Sequence, residues 1–397
     1  MLLKLGFRMM RELSFRQQFK IGYNLCWKGV WAVEVFKRRI KRGEFFPAFL
    51  FFSLTNNCNL RCQGCWVTPT KPVQQMSLET VDRIIEAGKA KGAHFYGLLG
   101  GEPMLHDGLL DILAKHSDCY FQLFTNGTLI TEELAQQMRV LGNVTPLVSI
   151  EGLEAVSDER RGGDDVYART LEGLRNCKKA GLFTGIATSI CKSNFNDLVR
   201  DEFVEQVAEL GAHYLWYYIY RPVGPRPTPE LVLDEEEILR LRKFMVELRS
   251  RAPIAIVDAY WNDKGEALCP AATGISHHIN PAGDVEPCPV VQFAKENVNR
   301  CEDLTQAIQG SKFLSDFRAL VQDTTQGCIL MDNPQALLGF LKENDIEDTS
   351  GRNQAYNELE AMIKRPGHHL PGQEIPEKSW LYRFAKKNWF FGFGAYG

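Results

Sequence analysis

Short hydrophobic runs alternate with longer stretches of helical periodicity through the middle of the chain. The predicted strands cover residues 48–55, 94–100, 120–124, 144–150, 183–190 and 213–219, and the predicted helices cover 77–91, 109–115, 131–140, 166–180 and 196–210. Strands that alternate with helices of this length predict βαβ units and a parallel sheet. The pattern therefore predicts an α/β fold built from six repeats.

The first 47 residues, called the arm below, predict amphipathic helices that mix large apolar side chains with basic ones. Ser14 and Gln17 have the spacing of a capping box, which predicts a helix start at this point. Eleven Lys or Arg and three Glu give residues 1–45 a charge of +8, which leaves −11 for the rest of a chain of net charge −3. Two interpretations stay open: a membrane-surface segment, or helices packed on the main domain with solvated charges.

Beyond the repeats the pattern changes. Pro222, Pro225, Pro227 and Pro229 predict a linker, which a charged helix follows. Residues 255–333 contain Cys and Gly but lack the alternation, and the chain ends in a stretch that repeats the basic and aromatic mixture of the arm. The predicted domains are the arm at 1–47, a barrel domain at 48–225, a linker helix with a Cys-containing region at 226–333, and a tail at 334–397.

Composition narrows the class of protein. A chain of 397 residues that is 45% hydrophobic can bury a large core. Eleven Cys in a chain of this size, without a recognisable cleavage site after a leader, indicate metal ligands in a reducing compartment rather than disulfides. No apolar run is long enough to span a bilayer. We therefore expect a cytoplasmic protein, peripheral on the inner face of a membrane if the arm binds lipid, and we expect no nucleic-acid partner.

Three cysteines follow the first predicted strand closely. Cys58, Cys62 and Cys65 are spaced C-x3-C-x2-C, so their thiols can face one point from a single loop. Soft thiolates suit zinc or an iron–sulfur cluster. Zinc would need a fourth ligand, and the first His after the loop is His94. The spacing therefore favours a cluster with one iron left open.

This loop resembles the signature of the radical SAM superfamily, with motifs in the expected order over about residues 48–333. The resemblance implies a partial (β/α)6 TIM-like barrel with a small C-terminal auxiliary-cluster domain. It also implies a [4Fe–4S] cluster on the three cysteines, S-adenosylmethionine (SAM) on the open iron, and an electron donor of the flavodoxin or ferredoxin type.

Three further motifs resemble the family's SAM-binding segments, and a fourth resembles one of its turns. Gly100-Gly101-Glu102-Pro103 resembles the GGEP motif, in which the carboxylate accepts the methionine ammonium group and the glycines allow close approach of a ligand. Ser149-Ile-Glu151-Gly152 resembles the S-x-D-G segment that reaches the ribose, with Glu in place of Asp. Arg161 is the predicted partner of the methionine carboxylate, with Arg160 as an alternative. Ser189 is predicted to line the same pocket. Thr125-Asn126-Gly127 fits a structural turn of the family.

A second set of thiols resembles the twitch and SPASM extensions that bind auxiliary clusters. Cys269 and Cys288 bracket a predicted hairpin with Gly283 at its turn, and Cys328 lies where a further ligand is expected. The dense cysteine run of a full SPASM domain is absent. Several outcomes stay open: an open iron that binds substrate, a domain remnant that binds nothing, or a fourth ligand from the following residues: Cys301, Asp332, His277 or His278.

The resemblance implies reductive cleavage of SAM to methionine and a 5′-deoxyadenosyl radical that abstracts hydrogen from a substrate. The basic and aromatic ends favour a hydrophobic, membrane-associated substrate such as a lipid. A ribosomal peptide is the alternative, since peptide-modifying relatives carry similar extensions. A non-catalytic electron carrier or scaffold belongs to another class, and it would have no use for Glu102, Ser149 and Arg161 together.

Overall fold

A computed structural model describes residues 2–389 of the chain, with side chains from residue 5 onward. The strands are β1 Phe49–Ser53, β2 Phe95–Leu99, β3 Tyr120–Thr125, β4 Val144–Ser149, β5 Gly185–Ile190, β6 Tyr214–Ile219, β7 Ala255–Val257, β8 Ser276–Ile279, β9 Val285–Glu286, β10 Phe293–Ala294 and β11 Glu347–Asp348. The helices are α1 Leu2–Glu12, α2 Phe15–Lys20, a π-helix Ile21–Trp27, α3 Lys28–Ile40, α4 Leu78–Ala90, α5 Leu109–Lys115, α6 Glu132–Leu141, α7 Glu154–Arg161, α8 Val166–Ala180, α9 Phe195–Leu198, α10 Asp201–Glu209, α11 Glu235–Arg251, α12 Pro270–Thr273, α13 Leu304–Gly310, α14 Lys312–Thr324, α15 Ile329–Asp332, α16 Pro334–Glu343, α17 Ala355–Glu360 and α18 Trp380–Asn388.

Nine strands form the main sheet, in the order β7-β6-β5-β4-β3-β2-β1-β8-β9. Strands β1 to β7 are parallel to their neighbours, β8 is parallel to β1, and β9 runs antiparallel to β8. A separate antiparallel pair, β10 and β11, lies outside this sheet. The six predicted strands and the α/β fold class are confirmed.

The structure differs from the sequence prediction in three respects. The charged helix α11 leads into β7, so it continues the alternation rather than ending it. The strand β8 pairs with β1, which means that the region after residue 225 shares the sheet of the predicted barrel. The predicted helix over 196–210 divides into α9 and α10 because Arg200 is extended and opens a new helix whose first turn is acidic.

The two faces of the sheet pack against different partners, because successive side chains of a strand point to opposite faces. One face packs against the helices that connect the strands, and contributes Leu50, Leu98 and Val148 to the larger hydrophobic cluster. The other face belongs to a second cluster, in which Phe49 of β1 and Trp216 of β6 join side chains of the arm. Strands as far apart as β1 and β6 share this cluster, so the sheet curves around it like a barrel wall.

The arm lies against the end of the barrel where the parallel strands begin. Asn24 donates to the carbonyls of Ser117 and Cys119 just before β3, and Arg39 donates to the carbonyl of Lys91 before β2. Arg8 donates to the carbonyl of Ala212 before β6. The capping box at Ser14 is confirmed. We call this end, closed by the arm, the floor of the barrel.

The C-terminal helix α18 is tied both to the arm and to the barrel. Lys37 donates to the carbonyl of Lys387, and the indole N–H of Trp389 donates to the carbonyl of Leu25. The predicted basic and aromatic ending continues beyond Trp389, outside the described residues. Among residues 2–389, we find no helix long and apolar enough to cross a membrane.

Candidate active site

The predicted site residues of the barrel, except Arg161 at the end of α7, lie at or just after the carboxyl ends of strands, opposite the floor. The cysteine loop, residues 56–75, follows β1, and Glu102 follows β2. Ser149 ends β4, Glu151 follows it, and Ser189 lies near the end of β5. In parallel sheets these ends meet at one edge, where such folds place their chemistry. We call this end the mouth.

The mouth is also where the inner face of the sheet is least filled. Most strand side chains are fully buried, but Phe51, Phe124, Ser149, Ser189 and Tyr218 are only partly buried. Phe124 contacts both other aromatic rings, with ring centroids 6.0 Å from Phe51 and 6.4 Å from Tyr218. These three aromatic residues were not among the predicted site residues, because each lies in an almost wholly apolar or aromatic strand whose sequence does not distinguish them from their buried neighbours.

The three thiols of the cysteine loop lie close together in a half-buried setting. Burial raises the pKa of Cys58 to about 11, and the neighbouring Cys62 raises it further. Burial likewise raises the pKa of Cys65 to about 12, with contributions from Cys62 and Cys58. Burial disfavours each thiolate, and neighbouring thiolates would repel one another, so a cation that binds thiolates would stabilise the three ionised groups together.

Two glycines allow the second strand end to pack on the cysteine loop. A Cβ on Gly100 would lie 2.4 Å from the carbonyl oxygen of Thr55, and one on Gly101 would lie 2.2 Å from that of Asn57. The backbone N–H of Glu102 also donates to the carbonyl of Asn57, at 2.8 Å. The close approach that the sequence analysis assigned to a ligand is thus made by the backbone of the loop.

The carboxylate of Glu102 is fully buried and accepts three hydrogen bonds. The donors are the backbone N–H of Asn126, at 2.8 Å, the hydroxyl of Thr125, at 2.8 Å, and the backbone N–H of Met104, at 3.2 Å. Burial nevertheless raises its pKa to about 7, against the effect of these donors. An ammonium group bound here would stabilise the charged carboxylate.

The turn Thr125-Asn126-Gly127 positions both the loop and the glutamate. The side-chain amide of Asn126 donates to Asn59 of the cysteine loop at 2.9 Å, while its backbone N–H donates to Glu102. Gly127 has φ +78, and a Cβ there would lie 2.7 Å from Val148. The predicted structural turn is therefore also a link between two site segments, which its sequence alone does not reveal.

The two adjacent arginines at the end of α7 both pair with Glu151, Arg160 at the longer distance of 3.6 Å, but they contact different cysteines. Arg161 donates to the Oε1 of Glu151 at 2.9 Å and contacts the sulfur of Cys62 at 3.8 Å. Arg160 instead donates to the sulfur of Cys191 and lies over the ring of Tyr220. Of the two predicted alternatives, Arg161 is the one that faces the cysteine loop.

Glu151 is the centre of a small network at the end of β4. Besides Arg161, it accepts the backbone N–H of Ser189 at 3.1 Å, and it is nearly buried. The residues predicted to meet opposite ends of SAM are therefore in direct contact with each other. The extra methylene of Glu, compared with the family's Asp, lets the carboxylate reach Arg161 and Ser189 together.

The proline-containing segment after β6 packs on the cysteine loop, so the prediction of a linker there is wrong. Gly224 lies so close to the loop that a Cβ would be 2.3 Å from the carbonyl of Cys65. Arg226 donates to the carbonyl of Arg61 at 2.7 Å and accepts from the N–H of Gly64 at 3.2 Å with its own carbonyl. Pro225 and Pro227 are exposed, and the prolines restrict the backbone of a segment that holds the cysteine loop.

The second set of thiols also converges. Burial raises the pKa of Cys269 to about 11 and that of Cys288 well above its usual range, and Cys328 raises both further. The guanidinium of Arg221, which was not among the predicted site residues, lies near Cys328, and the two groups favour each other's charged forms. The predicted hairpin is confirmed: β8 and β9 are antiparallel, with Gly283 at φ +93 between them.

The candidates for a fourth ligand lie in different surroundings. The sulfur of Cys301 contacts the carbonyl of Val298, and no contact joins it to the three thiols among the described residues. His278 is held between Ser53, at 2.8 Å, and Glu286, at 2.6 Å. Asp332 lies near Arg221, the partner of Cys328, and accepts a hydrogen bond from Thr325.

A cavity of about 170 Å³ adjoins segments that carry the two sets of thiols, although none of the six cysteines lines it, nor does Glu102 or Arg161. Gly224, which touches Cys65, and Val290 and Leu330, which flank Cys288 and Cys328, are among its lining residues. Arg352 also lines it, and donates to the carbonyl of Trp66 beside the cysteine loop. The cavity walls are mostly apolar, which suits a site that excludes water from a reactive species.

Both donor sets suit iron–sulfur clusters. Each consists of three soft thiol ligands with a guanidinium nearby, Arg161 at Cys62 and Arg221 at Cys328, which would offset the negative charge of a thiolate-bound cluster. Neither set includes a hard oxygen ligand of the kind that magnesium or calcium prefers.

Comparisons with known proteins agree with this chemistry. The family model described as Radical SAM superfamily matches residues 52–205. The AdoMet-dependent heme synthase of Methanosarcina barkeri is 30% identical over 200 residues, which are 49% of this chain and 57% of that protein. The sporulation killing factor maturation protein SkfB of Bacillus subtilis is 28% identical over 172 residues, 43% of this chain and 42% of that protein. The chain thus spans about half the length of the curated relatives it matches.

Solved structures share the fold at low sequence identity. The structure of Streptococcus suis SuiB bound to precursor peptide SuiA superposes with a TM-score of 0.60 and 18% identity, covering 71% of this chain and 69% of that one. The structure of anSMEcpe with bound AdoMet and a peptide gives a TM-score of 0.55 and 16% identity, covering 68% and 82%. The predicted cofactors, a [4Fe–4S] cluster and SAM, are those of the matched family. The domain at residues 52–205 of this chain therefore belongs to the radical SAM superfamily.

Proposed function

We propose that the protein is a radical SAM enzyme that abstracts hydrogen from its substrate at the mouth of the barrel. The observation that carries this proposal is the convergence of Cys58, Cys62 and Cys65 with Glu102 and Arg161 at one sheet edge. When bound and reduced, the cluster would supply the electron for cleavage of SAM, taken from a flavodoxin or ferredoxin type of donor. A scaffold or electron carrier would not require a buried carboxylate beside the cluster.

The protein's own groups would bind and orient SAM. Glu102 would accept the methionine ammonium group, and its hydrogen bonds from Thr125 and Asn126 would hold the carboxylate in place. Arg161, already oriented by Glu151, would donate to the methionine carboxylate. Ser149, Glu151 and Ser189 would line the ribose end, and Gly100 and Gly101 would keep the loop packed against the glutamate.

We further propose one auxiliary cluster on Cys269, Cys288 and Cys328. Their mutual proximity and the contact between Arg221 and Cys328 support it. With three thiol ligands, one iron would stay open toward Asp332 or toward a substrate in the cavity. The cavity lined by Gly224, Val290 and Leu330 would then hold the substrate.

Two substrate classes remain, each with its own support. A peptide is favoured by two structural neighbours, SuiB and anSMEcpe, which were solved with bound peptides. A lipid or another membrane-associated molecule is favoured by the exposed aromatic residues of the arm, such as Phe19 and Trp27. In either case we propose that the arm contacts a membrane surface.

Iron content tests the two-cluster arrangement. Anaerobically reconstituted protein should hold about eight iron atoms, since each four-iron cluster requires four. Replacement of Cys58, Cys62 and Cys65 with Ala should leave about four, and so should replacement of the other three. The control is Cys301→Ala, which should leave about eight. A variant of the first set that still holds about eight iron atoms would contradict the assignment, and one that holds none would exclude the auxiliary cluster.

A further inference from the structure

Exposed aromatic side chains concentrate on the arm. Thirteen large hydrophobic side chains are exposed among the described residues, and nine of them lie on the arm and α18: Phe7, Met10, Phe15, Phe19, Tyr23, Trp27, Trp31, Trp380 and Phe384. Phe15 is 84% exposed and Trp27 is 66% exposed. Patches of this kind on a folded protein mark an interaction surface.

Five of these residues recur every four positions along one continuous helical segment: Phe15, Phe19, Tyr23, Trp27 and Trp31. In a pure α-helix each step of four overshoots a full turn by about 40°, so the series would drift around the axis. The π-helix Ile21–Trp27 holds more residues per turn and turns the series back. The irregular segment thereby keeps the five aromatic residues, called the stripe below, on one side.

The opposite side of the same segment is buried against the barrel. Ile21, Leu25 and Phe36 belong to the inner hydrophobic cluster, with exposures of 4% or less. The stripe is therefore not part of the hydrophobic core, because a different face of the arm packs against the barrel. The packing interpretation from the sequence explains one face of the arm and leaves the other without a partner among the described residues.

Basic side chains accompany the stripe. Arg11, Arg16, Arg38, Lys41 and Arg42 are all exposed. Arg38 lies over the ring of Trp31 at 5.9 Å, and Lys28 over that of Tyr23 at 5.3 Å. Aromatic rings beside Arg and Lys suit the headgroup region of an anionic bilayer, where the rings enter the interface and the cations meet phosphate groups.

The stripe belongs to the floor of the barrel, and the site belongs to the mouth. The polar contacts of the arm precede β2, β3 and β6, whereas the cysteine loop and Glu102 follow β1 and β2. Strands of five or six residues separate the two ends by about 17 to 20 Å. We propose that the floor docks on an anionic bilayer and holds the mouth toward the water phase.

This orientation deepens the proposed function, on which its consequence for the substrate rests. A substrate enters a mouth that faces water from the aqueous side, as a peptide or as a group that extends from the membrane. A lipid that stays embedded in the same bilayer would have to pass the floor, which the arm closes. The exposed aromatic residues of the arm suggest a lipid when taken alone, but in this orientation they lie at the floor, away from the site, so the docking surface favours the peptide class.

Cosedimentation with vesicles tests the docking surface. We expect the full-length protein to sediment with vesicles of phosphatidylglycerol and phosphatidylcholine, and at least tenfold less with phosphatidylcholine alone. Binding should weaken at about 1 M salt, where screening acts within about 3 Å, but should not vanish. Trp27→Gln with Trp31→Gln should reduce binding at least tenfold, whereas the control Val73→Gln with Leu78→Gln, exposed at the mouth end, should not.

Fluorescence gives the orientation. Brominated lipids should quench the tryptophans of the docked protein, and replacement of Trp27, Trp31 and Trp380 with Phe should remove this quenching while docking persists. Quenching that survives in that variant would place another face on the bilayer, and absence of vesicle binding at low salt would overturn the proposal. A dimer in lipid-free sedimentation that the two Gln substitutions dissociate would assign the stripe to a second copy instead. SAM cleavage by the variant with Trp27→Gln and Trp31→Gln tests the proposed function separately, because neither residue belongs to the site at the mouth.

Discussion

At the scale of single residues, the site depends on groups whose burial opposes the charge that their function requires. Glu102 is fully buried, and its pKa of about 7 means that it is only partly ionised near neutral pH. Its three hydrogen-bond donors fix the carboxylate in place before a ligand binds. Burial raises the pKa because it disfavours the charged carboxylate, and a bound ammonium group would stabilise that charge. The raised pKa and the proposed role of Glu102 therefore both follow from its burial.

The predicted consequence is a pH-dependent affinity for SAM. Because the pKa of Glu102 lies above its usual value, the carboxylate gains charge as the pH rises from 6 through 7. The ammonium group of SAM, an α-amine with a pKa of about 7.7, stays largely protonated over this interval. Equilibrium dialysis should show tighter binding at pH 7.5 than at pH 6. Glu102→Gln should bind roughly ten- to a hundredfold more weakly, as expected for loss of a charged hydrogen bond of about 1.5–3 kcal/mol, and without this pH dependence.

The surface variant Glu172→Gln is the control for that experiment, because its carboxylate pairs only with an exposed arginine. It should bind SAM like the unmodified protein at every pH. If Glu102→Gln retained both the affinity and the pH profile, the ammonium group would have to bind elsewhere.

At the scale of elements, a buried charge network holds the C-terminal helix to the barrel. Asp258 and Glu377 meet Arg242, Arg249 and Lys386, and all five side chains are at most 3% exposed. Burial alone would raise the pKa of Asp258, but the cations, Lys386 first, hold it well below its usual range. Burial lowers the pKa of Lys386 to about 8, so Lys386 loses its proton more readily than the two arginines do.

The network predicts unequal costs for two substitutions. Lys386→Met leaves two cations with two anions, and should cost less than about 2 kcal/mol of unfolding free energy. Asp258→Asn leaves three cations with one anion, and should cost about 3–5 kcal/mol, as does removal of one partner from a buried pair. Denaturant unfolding measures both. Equal costs for the two variants would mean that packing of α18, rather than charge balance, determines its attachment.

How much the sequence could predict also differs between elements. The strands could be predicted because hydrophobic runs of five or six residues alternate with stretches of helical periodicity. The cysteine loop could be predicted from the spacing of its cysteines. The pairing of β8 with β1 was not, since a four-residue strand that contains two histidines has no strong pattern. The packing of Gly224 on the cysteine loop joins segments distant in sequence, and the contact between Arg161 and Glu151 depends on how α7 folds back on the end of β4, so no local pattern reports either.

At the scale of the whole molecule, the barrel separates two functions. The mouth gathers the thiols, Glu102 and Arg161, while the floor presents the stripe. The C-terminal segment connects the two ends, because Arg352 contacts the cysteine loop through Trp66 and α18 packs beside the arm. A substitution at the floor should therefore alter membrane docking without altering SAM cleavage. A substitution at the mouth should alter SAM cleavage without altering membrane docking.

Formation of 5′-deoxyadenosine from SAM under anaerobic reducing conditions tests the central claim most directly. The reconstituted protein should form it, and the variant with Ala at Cys58, Cys62 and Cys65 should not. The matched control, with Ala at Cys269, Cys288 and Cys328, removes the same number of thiols and should retain cleavage in the absence of substrate. Undiminished 5′-deoxyadenosine formation by the first variant, or its loss only in the second, would contradict the account.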